Sequence, residues 1–360
     1  MKTKKHNKVL RFFIVLLVVI AALLIAVTAL YFNEIRSLSS LTKKDDYPLY
    51  QMTYYGDYGF DEFLKTGAKS DSDIEAFVTK SLMKGIPIDL GLTGDGCTAF
   101  VTKNENGEVI FGRNFDFDYS PSLQVITTPK NGYASISTVN LTYAGYTEDS
   151  LPDNLPDSFL TLAAPYLPFD GVNEKGVAMA LLAVPEYHYT DDNSKVTLNT
   201  TTAIRLVLDK AANVDEAVEL LKDYNIYFSG DVDCHYLIAD ATSKSVIVEY
   251  WDGQLQTVYP ETDYQIASNF VAYNGLNIGE GYSEFDRYDT VEKTLLDNNN
   301  VLSREKVIAL LTDIGCREDD GTDKLQWSVC YNLTSLDGYI FAHKNTNNII
   351  DFKLDKDQRS

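Results

Sequence analysis

A possible nucleophile and two charged side chains that could assist it lie in one short stretch of this chain, between Gly96 and Asp118. Cys97 supplies a thiol, Arg113 a guanidinium and Asp116 a carboxylate. The thiolate is the reactive form of cysteine, and a neighbouring cation favours it. The three residue types together indicate a cysteine nucleophile with charged partners. A buried structural cysteine beside a surface ion pair is the alternative, because free cysteine usually packs as a small apolar residue.

A β-hairpin is the element that must position these residues. β-Branched and aromatic residues flank Asn106-Gly107, a strong short-range signal for two strands joined by a tight turn. Folding over that turn brings Cys97 opposite the segment from Arg113 to Asp116. Those two residues are an odd number of positions apart, so a regular strand points them to opposite faces. We therefore expect a bulge or a strand end if both serve the thiol.

Several motifs, in a fixed order along the chain, resemble those of one enzyme family. They are Gly-Cys-Thr at 96–98, Phe-Gly-Arg-Asn-Phe-Asp at 111–116, Asp-Gly-Val-Asn-Glu-Lys-Gly at 170–176, Leu-Ile-Ala-Asp at 237–240, Ala-Ser-Asn at 267–269 and Leu-Gln-Trp-Ser at 325–328. The set is similar to the choloylglycine hydrolase family of linear amide C–N hydrolases, which are cysteine N-terminal-nucleophile enzymes. That family includes bile salt hydrolase and penicillin V acylase, with acid ceramidase and N-acylethanolamine acid amidase as distant relatives. The resemblance implies an α/β fold, the four-layer αββα sandwich.

The resemblance also implies a role for each candidate site residue. In the mature enzymes of that family the cysteine is the first residue, so Cys97 would supply both a thiol nucleophile and an α-amine that acts as the base. The other implied roles are thiolate stabilisation by Arg113, orientation of the amine by Asp116, oxyanion donation by Asn269 with the assistance of Asn173, and organisation of the site by Arg287. Either asparagine would otherwise be interpreted as a turn or cap residue.

Glycine at position 96 favours self-cleavage between Gly96 and Cys97. A glycine leaves its carbonyl open to the thiol of the next residue and tolerates a strained backbone. Family members with a leader expose their cysteine by self-cleavage, so we expect residues 33–96 to be a propeptide-like leader. An ordinary glycine-containing loop from Gly91 to Gly96 is the alternative.

The start of the chain predicts a membrane anchor. Residues 1–11 are rich in lysine and residues 12–32 form an almost unbroken apolar run. Such a run is long enough to cross a bilayer as a helix, and the basic flank places the N-terminus in the cytoplasm. The hydrolase domain, residues 97–354, would then be extracellular and followed by a tail at 355–360. A cleaved signal peptide, with secretion, is the alternative, since Val27-Thr28-Ala29 resembles a small-residue cleavage site.

Composition limits the partners and cofactors. With 52 acidic and 31 basic residues the formal net charge is -21, which argues against nucleic acid as a partner. The four cysteines and four histidines form no CxxC or HExxH motif, so we predict no metal or cofactor. If Cys97 stays a thiol, at most one disulfide can form, and Cys316 with Cys330 is the favoured pair. The composition is also compatible with a homo-oligomer.

Other elements can be placed by pattern. Helical periodicity predicts helices over 70–84, over two parts of 202–224 and over 304–312, and strands are predicted at 124–128, 133–140, 177–184, 236–240, 245–251 and 254–259, with a final hairpin over 327–342 that turns about Asp337-Gly338. The segment 150–169 is apolar but interrupted by proline, which excludes one continuous helix. It either lines an acyl-binding pocket or covers the core.

The sequence therefore predicts a hydrolase of linear, non-peptide amide bonds in N-acylated small molecules, with an acyl-thioester intermediate on Cys97. One alternative is an acyltransferase of the type that exchanges penicillin side chains. The other is a catalytically inactive, surface-anchored binding module.

Overall fold

The structure is a computed structural model that describes residues 2–82, 96–279, 282–316 and 322–355. Residues 91–95 of the predicted glycine-rich approach and 356–360 of the predicted tail lie outside these ranges. The helices in the described ranges are α1 (Lys2–Leu30), α2 (Phe32–Ser40), α3 (Phe60–Thr66), α4 (Asp71–Ser81), α5 (Thr200–Lys210), α6 (Val214–Lys222), α7 (Tyr282–Asp297) and α8 (Arg304–Asp313).

The strands of the described ranges run from the N-terminal segment to the C-terminal end. They are β1 (Thr42–Asp45), β2 (Leu49–Tyr54), β3 (Cys97–Lys103), β4 (Val109–Asp116), β5 (Ser122–Thr127), β6 (Ser135–Asn140), β7 (Pro168–Asn173), β8 (Ala178–Ala183), β9 (Val196–Asn199), β10 (Tyr224–Tyr227), β11 (Cys234–Ala239), β12 (Ser245–Trp251), β13 (Gln254–Val258), β14 (Gln265–Ala267), β15 (Phe270–Val271), β16 (Ile278–Gly279), β17 (Leu325–Asn332), β18 (Asp337–Ala342) and β19 (Ile350–Lys353).

Two large sheets form the centre of the molecule. One has the order β1-β2-β5-β6-β7-β8-β11-β12-β13 and the other the order β14-β3-β4-β17-β18-β19. They meet where β3 packs against β8 and β11, and the main core cluster contains buried residues of both, such as Met179 and Val329. Helices α5 and α6 pack on the first sheet, and α7 and α8 pack on the second. The layers are therefore helix, sheet, sheet, helix, which confirms the expected αββα sandwich.

The β3–β4 hairpin forms as predicted. Its register places Cys97 opposite Phe115 and Ala99 opposite Arg113. Gly107 has a φ of +78°, a conformation that glycine adopts without steric cost, and its N–H closes the turn onto the carbonyl of Asn104 over 2.9 Å. Asp116 is the last residue of β4, and the facing strand β17 is irregular between Leu325 and Trp327. The strand end that the odd spacing required is present.

Helix α1 contains the apolar run. Residues Leu10–Leu30 have a mean hydropathy of 3.3 and none of this stretch is buried inside the protein. By length and composition this helix can cross a membrane, and a signal sequence near an N-terminus has the same properties.

The predicted leader is built into the main sheet over its described part. Strand β2 pairs in parallel with β5, and its residues Leu49, Tyr50 and Met52 are buried. Helix α4 lies within the predicted range 70–84. The Ser70 side chain caps it by accepting from the backbone N–H of Asp73, and the helix buries Ile74. Residues 42–82 therefore contribute strands and core side chains to the sandwich.

Local signals explain most other elements. Asn213 caps α6 by accepting from the N–H of Glu216 over 3.0 Å, and α8 closely matches its predicted range. The last hairpin turns at 333–336, because Gly338 is already paired with Tyr331, so the predicted turn at Asp337-Gly338 is wrong. The apolar segment forms 3₁₀ turns over Asp157–Tyr166 that are largely buried.

Candidate active site

Cys97 begins β3 and is 1% exposed. Its Sγ accepts from Nη2 of Arg113 over 3.4 Å, and its backbone N–H donates to Oδ1 of Asn269 over 2.6 Å. The carbonyl oxygen of the preceding residue, Gly96, accepts from the backbone N–H of Asp116 over 2.9 Å. Three other candidate residues, Arg113, Asp116 and Asn269, therefore contact Gly96 or Cys97.

Arg113 is fixed by a buried acid on the other sheet. Its Nη1 lies 2.5 Å from Oδ2 of Asp170, and its Nη2 donates to the carbonyl of Leu181 over 2.9 Å. Asp170 also accepts from Nε1 of Trp327 over 3.1 Å and from the hydroxyl of Tyr331 over 2.6 Å. A guanidinium and a carboxylate paired in this way stabilise one another in a dry interior, although Nε of Arg113 is buried with no hydrogen-bond partner among the described residues. The cation is thus held in place beside the thiol.

Arg287 links the remaining residues on the other side of the peptide. Its Nη1 lies 3.2 Å from Oδ2 of Asp116, and its Nη2 donates to Oδ1 of Asn269 over 2.9 Å. Asp116 Oδ1 accepts from the backbone N–H of Cys316 over 2.9 Å. Asn269 Nδ2 donates to the carbonyl of Ala183 over 2.7 Å. The described structure thus brings together Cys97, Arg113, Asp116, Asn269 and Arg287.

One expected contact differs in the uncut chain. Asp116 was assigned to the nitrogen of Cys97, but that N–H donates to Asn269, while the Asp116 carboxylate contacts Arg287 and the N–H of Cys316. An amide nitrogen has only one hydrogen to donate, whereas a free α-amine has more. The arrangement is therefore that of the intact Gly96–Cys97 peptide.

Burial dominates the ionisation of the two central groups. It raises the pKa of the Cys97 thiol, and the positive charge of Arg113 only partly opposes the shift. Burial also raises the pKa of Asp116, although Arg287 and the backbone N–H of Cys316 act in the opposite direction. Arg113 by itself acts to lower the thiol pKa, but burial outweighs this contribution and the net shift is upward.

Asn173 is not part of this cluster. Its Oδ1 accepts from the backbone N–H groups of Lys175 and Val177, and its Nδ2 donates to the carbonyls of Leu208 and Ala211. The side chain therefore stabilises the β7–β8 turn and the end of α5, with both amide hydrogens and the oxygen engaged. This is the turn role typical of asparagine.

Three residues of the site were not singled out from the sequence. Asp170 holds Arg113, Ala183 holds Asn269 through its carbonyl, and Cys316 contacts Asp116 through its N–H. Of the three, only Asp170 contributes a side chain, and its position in the Asp-Gly-Val-Asn motif could have identified it. Ala183 and Cys316 contribute only main-chain groups. Cys316 and Cys330 are free thiols, so the favoured disulfide is wrong.

A narrow apolar slot of about 20 Å³ lies against Cys97. Its lining includes Phe115, Phe117, Tyr143, Phe169 and Leu181. Phe169 comes from the apolar segment 150–169, so that segment contributes to the wall as well as to the core. In the described ranges no group of three or more His, Cys, Asp and Glu side chains is arranged to hold a metal ion.

Residues 97–307, more than half of the chain, match the sequence profile of a protein family described as linear amide C–N hydrolases, choloylglycine hydrolase family. The chain belongs to this family. It is 28% identical to the bile salt hydrolase/transferase of Clostridium perfringens over 206 residues, which cover 51% of this chain and 59% of that protein. It is 33% identical to the penicillin V acylase of Pectobacterium atrosepticum over 111 residues, which cover 28% of this chain and 29% of that protein. The chain thus matches less than two thirds of either relative.

Solved structures of this choloylglycine hydrolase family share the fold. A mutant of the conjugated bile acid hydrolase from Clostridium perfringens superimposes with a TM-score of 0.52 at 19% identity, over 72% of this chain and 92% of that one. Penicillin V acylase from Agrobacterium tumefaciens gives a TM-score of 0.54 at 18% identity, over 72% and 86% of the two chains.

Proposed function

We propose that this choloylglycine hydrolase family member hydrolyses linear amide bonds of N-acylated small molecules through Cys97, after self-cleavage between Gly96 and Cys97. The observation that carries the proposal is the environment of that peptide. The thiol contacts Arg113, the carbonyl of Gly96 is held by the N–H of Asp116, and the nitrogen is held by Asn269. The relatives named bile salt hydrolase/transferase and penicillin V acylase support the same reaction class.

Self-cleavage would begin with attack of Cys97 Sγ on the carbonyl carbon of Gly96. The thiol proton passes to the departing nitrogen, the C–N bond breaks, and the leader is left as a thioester on Cys97. Water then hydrolyses the thioester to a Gly96 carboxylate and restores the thiol. The hydrogen bond from Asp116 N–H to the carbonyl oxygen supports this step, because a preorganised donor stabilises the developing oxyanion.

The free α-amine of Cys97 would then act as the general base. Its unperturbed pKa of about 7.7–8.0 suits proton transfer near neutral pH. It accepts the thiol proton as Sγ attacks the substrate amide, and it returns that proton to the departing amine as the acyl-thioester forms. Water, deprotonated by the same amine, releases the acid. Arg113 favours the thiolate against the effect of burial.

Asn269 supports the oxyanion role. One N–H of its amide is used by the Ala183 carbonyl, and its oxygen is held by Arg287. The second N–H has no partner among the described residues, so it is available to a substrate oxygen beside Cys97. The apolar slot lined by Phe115 and Phe169 favours an apolar acyl group.

We extend the proposal to location. The apolar helix over Leu10–Leu30 would retain the protein in a membrane as a single span, with residues 1–11 in the cytoplasm and the domain 97–354 outside the cell. Removal of the helix as a signal peptide would instead give a secreted enzyme. An antibody against a C-terminal tag, applied to intact and permeabilised cells, distinguishes an external from an internal domain.

An acyltransferase is the second candidate. One relative, the bile salt hydrolase/transferase, is named for both activities. The two reactions share the acyl-thioester and differ in whether water or an amine receives the acyl group. The test is turnover of a bile salt, penicillin V, an N-acyl amino acid and an N-acylethanolamine by the full-length chain in detergent, with and without an added amine. Equal amounts of acid and amine support the hydrolase, whereas acylated acceptor supports the transferase. A self-cleaved chain that turns over none of them would support the inactive binding module.

A further inference from the structure

The apolar slot against Cys97 has one stretch of wall that differs from the rest. Besides the aromatic and leucine side chains, the lining includes residues from the start of α5 and from the segment that leads to β11: Thr200, Thr201, Ser229, Val232 and Cys234. Ser229 begins a short 3₁₀ turn, and Ser229 and Val232 lie outside the α-helices and strands. The pairing of a sheet does not fix this part of the wall, so its position depends on side-chain contacts.

Such contacts come from the predicted leader, residues 33–96. Asp71 lies in the first turn of α4. Its Oδ1 accepts from the hydroxyl of Ser229 over 2.6 Å and from that of Tyr227 over 3.0 Å, and its Oδ2 accepts from the backbone N–H of Gly230 over 3.3 Å. Hydrogen bonds to a carboxylate are stronger than those between neutral groups. One carboxylate of the leader therefore holds three groups of the segment 227–230.

Ser229 connects this carboxylate to the slot. While its hydroxyl donates to Asp71, the same oxygen accepts from Nδ2 of Asn199 over 2.8 Å. Its backbone N–H donates to Oγ1 of Thr200 over 3.1 Å. Asn199 is the N-cap of α5, so the start of that helix and the segment around Ser229 are joined. Ser229 is 5% exposed, and a buried donor without an acceptor is unfavourable, so loss of the carboxylate would shift this side chain and its segment.

A second contact from the leader supports Thr201. The ring of Tyr166 lies 5.7 Å from that of Phe77 on α4, and its hydroxyl donates to the carbonyl of Tyr58 over 2.8 Å. The carbonyl of Tyr166 in turn accepts from the hydroxyl of Thr201 over 2.8 Å. Both leader residues precede the proposed cut. The leader thus supports two hydroxyl residues of the slot, one directly and one through Tyr166.

Helix α4 is a firm base for Asp71, because its Ile74 and Val78 are buried in the core. The charge of Asp71 also acts within the slot. Burial raises the pKa of Tyr143, a lining residue, and nearby negative charges, among them those of Asp71 and Cys97, raise it further. Asp71 and the proposed nucleophile therefore act on the same lining residue.

The slot is too small to hold an acyl chain without a change of shape. Its volume of about 20 Å³ has room for about one water-sized group, so each further methylene must displace part of the wall. Phe115, Phe169 and Leu181 lie on paired strands of the two large sheets, and their ladders hold them. The segment at Ser229 is held by side chains instead, so it is the part of the wall that can yield.

We propose that Asp71 is a positioning residue that sets the length of acyl chain accepted by the active site. Its carboxylate keeps Ser229 and Gly230 against the slot and so disfavours longer chains. The leader would then remain part of the substrate site after it is cut from the hydrolase domain. This inference rests on the proposed function, since the slot receives an acyl group only if Cys97 is the nucleophile.

The test compares two esters that differ only in acyl length, 4-nitrophenyl butanoate and 4-nitrophenyl hexanoate. Release of nitrophenolate by the full-length, self-cleaved chain in neutral detergent reports attack by Cys97, and the Cys97→Ala chain gives the background. The readout is kcat/KM for the hexanoate divided by kcat/KM for the butanoate. This ratio does not depend on the folded fraction, so a purely structural role of Asp71 leaves it unchanged. Partition of the esters into detergent is the same for every chain and cancels between chains.

Asp71→Ala should raise this ratio by about tenfold, because the released wall accommodates the longer chain and the misfit of one methylene changes kcat/KM by about that much or more. Asp71→Asn keeps one oxygen for the two hydroxyls, so it should raise the ratio by less. Asp73→Ala is the matched control. It removes the same charge from the same turn of α4, but its carboxylate accepts from the N–H of Lys69 over 2.9 Å, and the ratio should change by less than about twofold.

The outcomes separate this inference from the proposed function. A wild-type chain that releases no more nitrophenolate than Cys97→Ala lacks the proposed nucleophile, and both proposals fall. An active wild type whose ratio is unchanged in Asp71→Ala, or is changed equally in Asp73→Ala, contradicts only the role of Asp71. Circular dichroism checks each fold. If the alanine variant does not fold, Asp71→Asn decides, and an unchanged ratio in that variant overturns the inference.

Discussion

The carbonyl oxygen of Gly96 accepts a 2.9 Å hydrogen bond from the backbone N–H of Asp116. The donor belongs to the end of β4, and the hairpin register that places Cys97 opposite Phe115 brings it there. The oxyanion donor proposed for self-cleavage is therefore main chain, supplied by the same hairpin that carries the nucleophile. The side chain of Asp116 is left to pair with Arg287.

The leader should remain bound after cleavage. Strand β2 pairs with β5 within the nine-stranded sheet, and Tyr50 and Phe63 are buried. Burial of each large apolar side chain contributes about 1.5–3 kcal/mol of stabilisation, so dissociation of the cut segment is unfavourable. We expect both fragments to elute together in size-exclusion chromatography in detergent and to separate only in denaturant. Loss of the N-terminal fragment under native conditions would contradict this prediction.

Replacing Arg113 by methionine should destabilise the fold strongly. The change leaves Asp170 as an uncompensated buried charge, which costs about 3–5 kcal/mol of unfolding free energy. Arg304→Met is the matched control, because its partner Asp351 is exposed and a surface pair contributes about 0–1 kcal/mol. Urea unfolding followed by tryptophan fluorescence measures both. Similar losses in the two variants would show that Arg113 and Asp170 are not a buried pair.

Replacing Asn269 and replacing Asn173 should have different effects on kcat. Asn269→Ala removes the proposed oxyanion donor, so kcat should fall by about 10²–10³ in the folded enzyme. Asn173→Ala removes hydrogen bonds of the β7–β8 turn, so it should lower the melting temperature and leave kcat per folded molecule nearly unchanged. Steady-state rates, normalised to the folded fraction, make the comparison. An unchanged kcat in Asn269→Ala would remove this residue from the mechanism.

His343 should make the fold sensitive to mild acid. Burial lowers its pKa below 6.5, although Asp323 and Asp45 act in the opposite direction. Because the folded state favours the neutral ring, the stability it contributes is present above pH 6.5 and is lost as the pH falls from that value through the folded-state pKa. The melting temperature of the wild type should therefore fall more steeply below that pH than that of His343→Asn.

The exposed His188 is the control for this prediction. His188→Asn should retain the wild-type slope of melting temperature against pH. If His343→Asn and the wild type lose stability in parallel below neutral pH, another group is responsible for the acid sensitivity.

Local signals explain what the sequence could predict. The Asn106-Gly107 turn fixed the β3–β4 pairing, and therefore placed Cys97 near Arg113, without help from distant parts of the chain. Asn269 and Arg287 were located by resemblance, and the structure brings them to the same peptide. Helix α7, which carries Arg287, was not predicted because its sequence is more polar than those of the predicted helices.

Long-range contacts explain what was missed. Asn173 lies in a conspicuous motif, but its hydrogen bonds belong to a turn and to the end of α5, and a motif alone does not reveal that. Ala183 contributes only a carbonyl, which no residue type can signal. The Arg113–Asp170 pair joins two sheets, so its existence depends on how the sheets pack.

The central claim is that Cys97 becomes a free N-terminus by its own chemistry. N-terminal sequencing and intact mass of the purified full-length chain, wild type beside Cys97→Ala, test it most directly. We predict two wild-type fragments, the larger beginning at Cys97, and a single uncut Cys97→Ala chain. A wild-type chain that stays whole, or a Cys97→Ala chain cut at the same bond, would contradict the proposal.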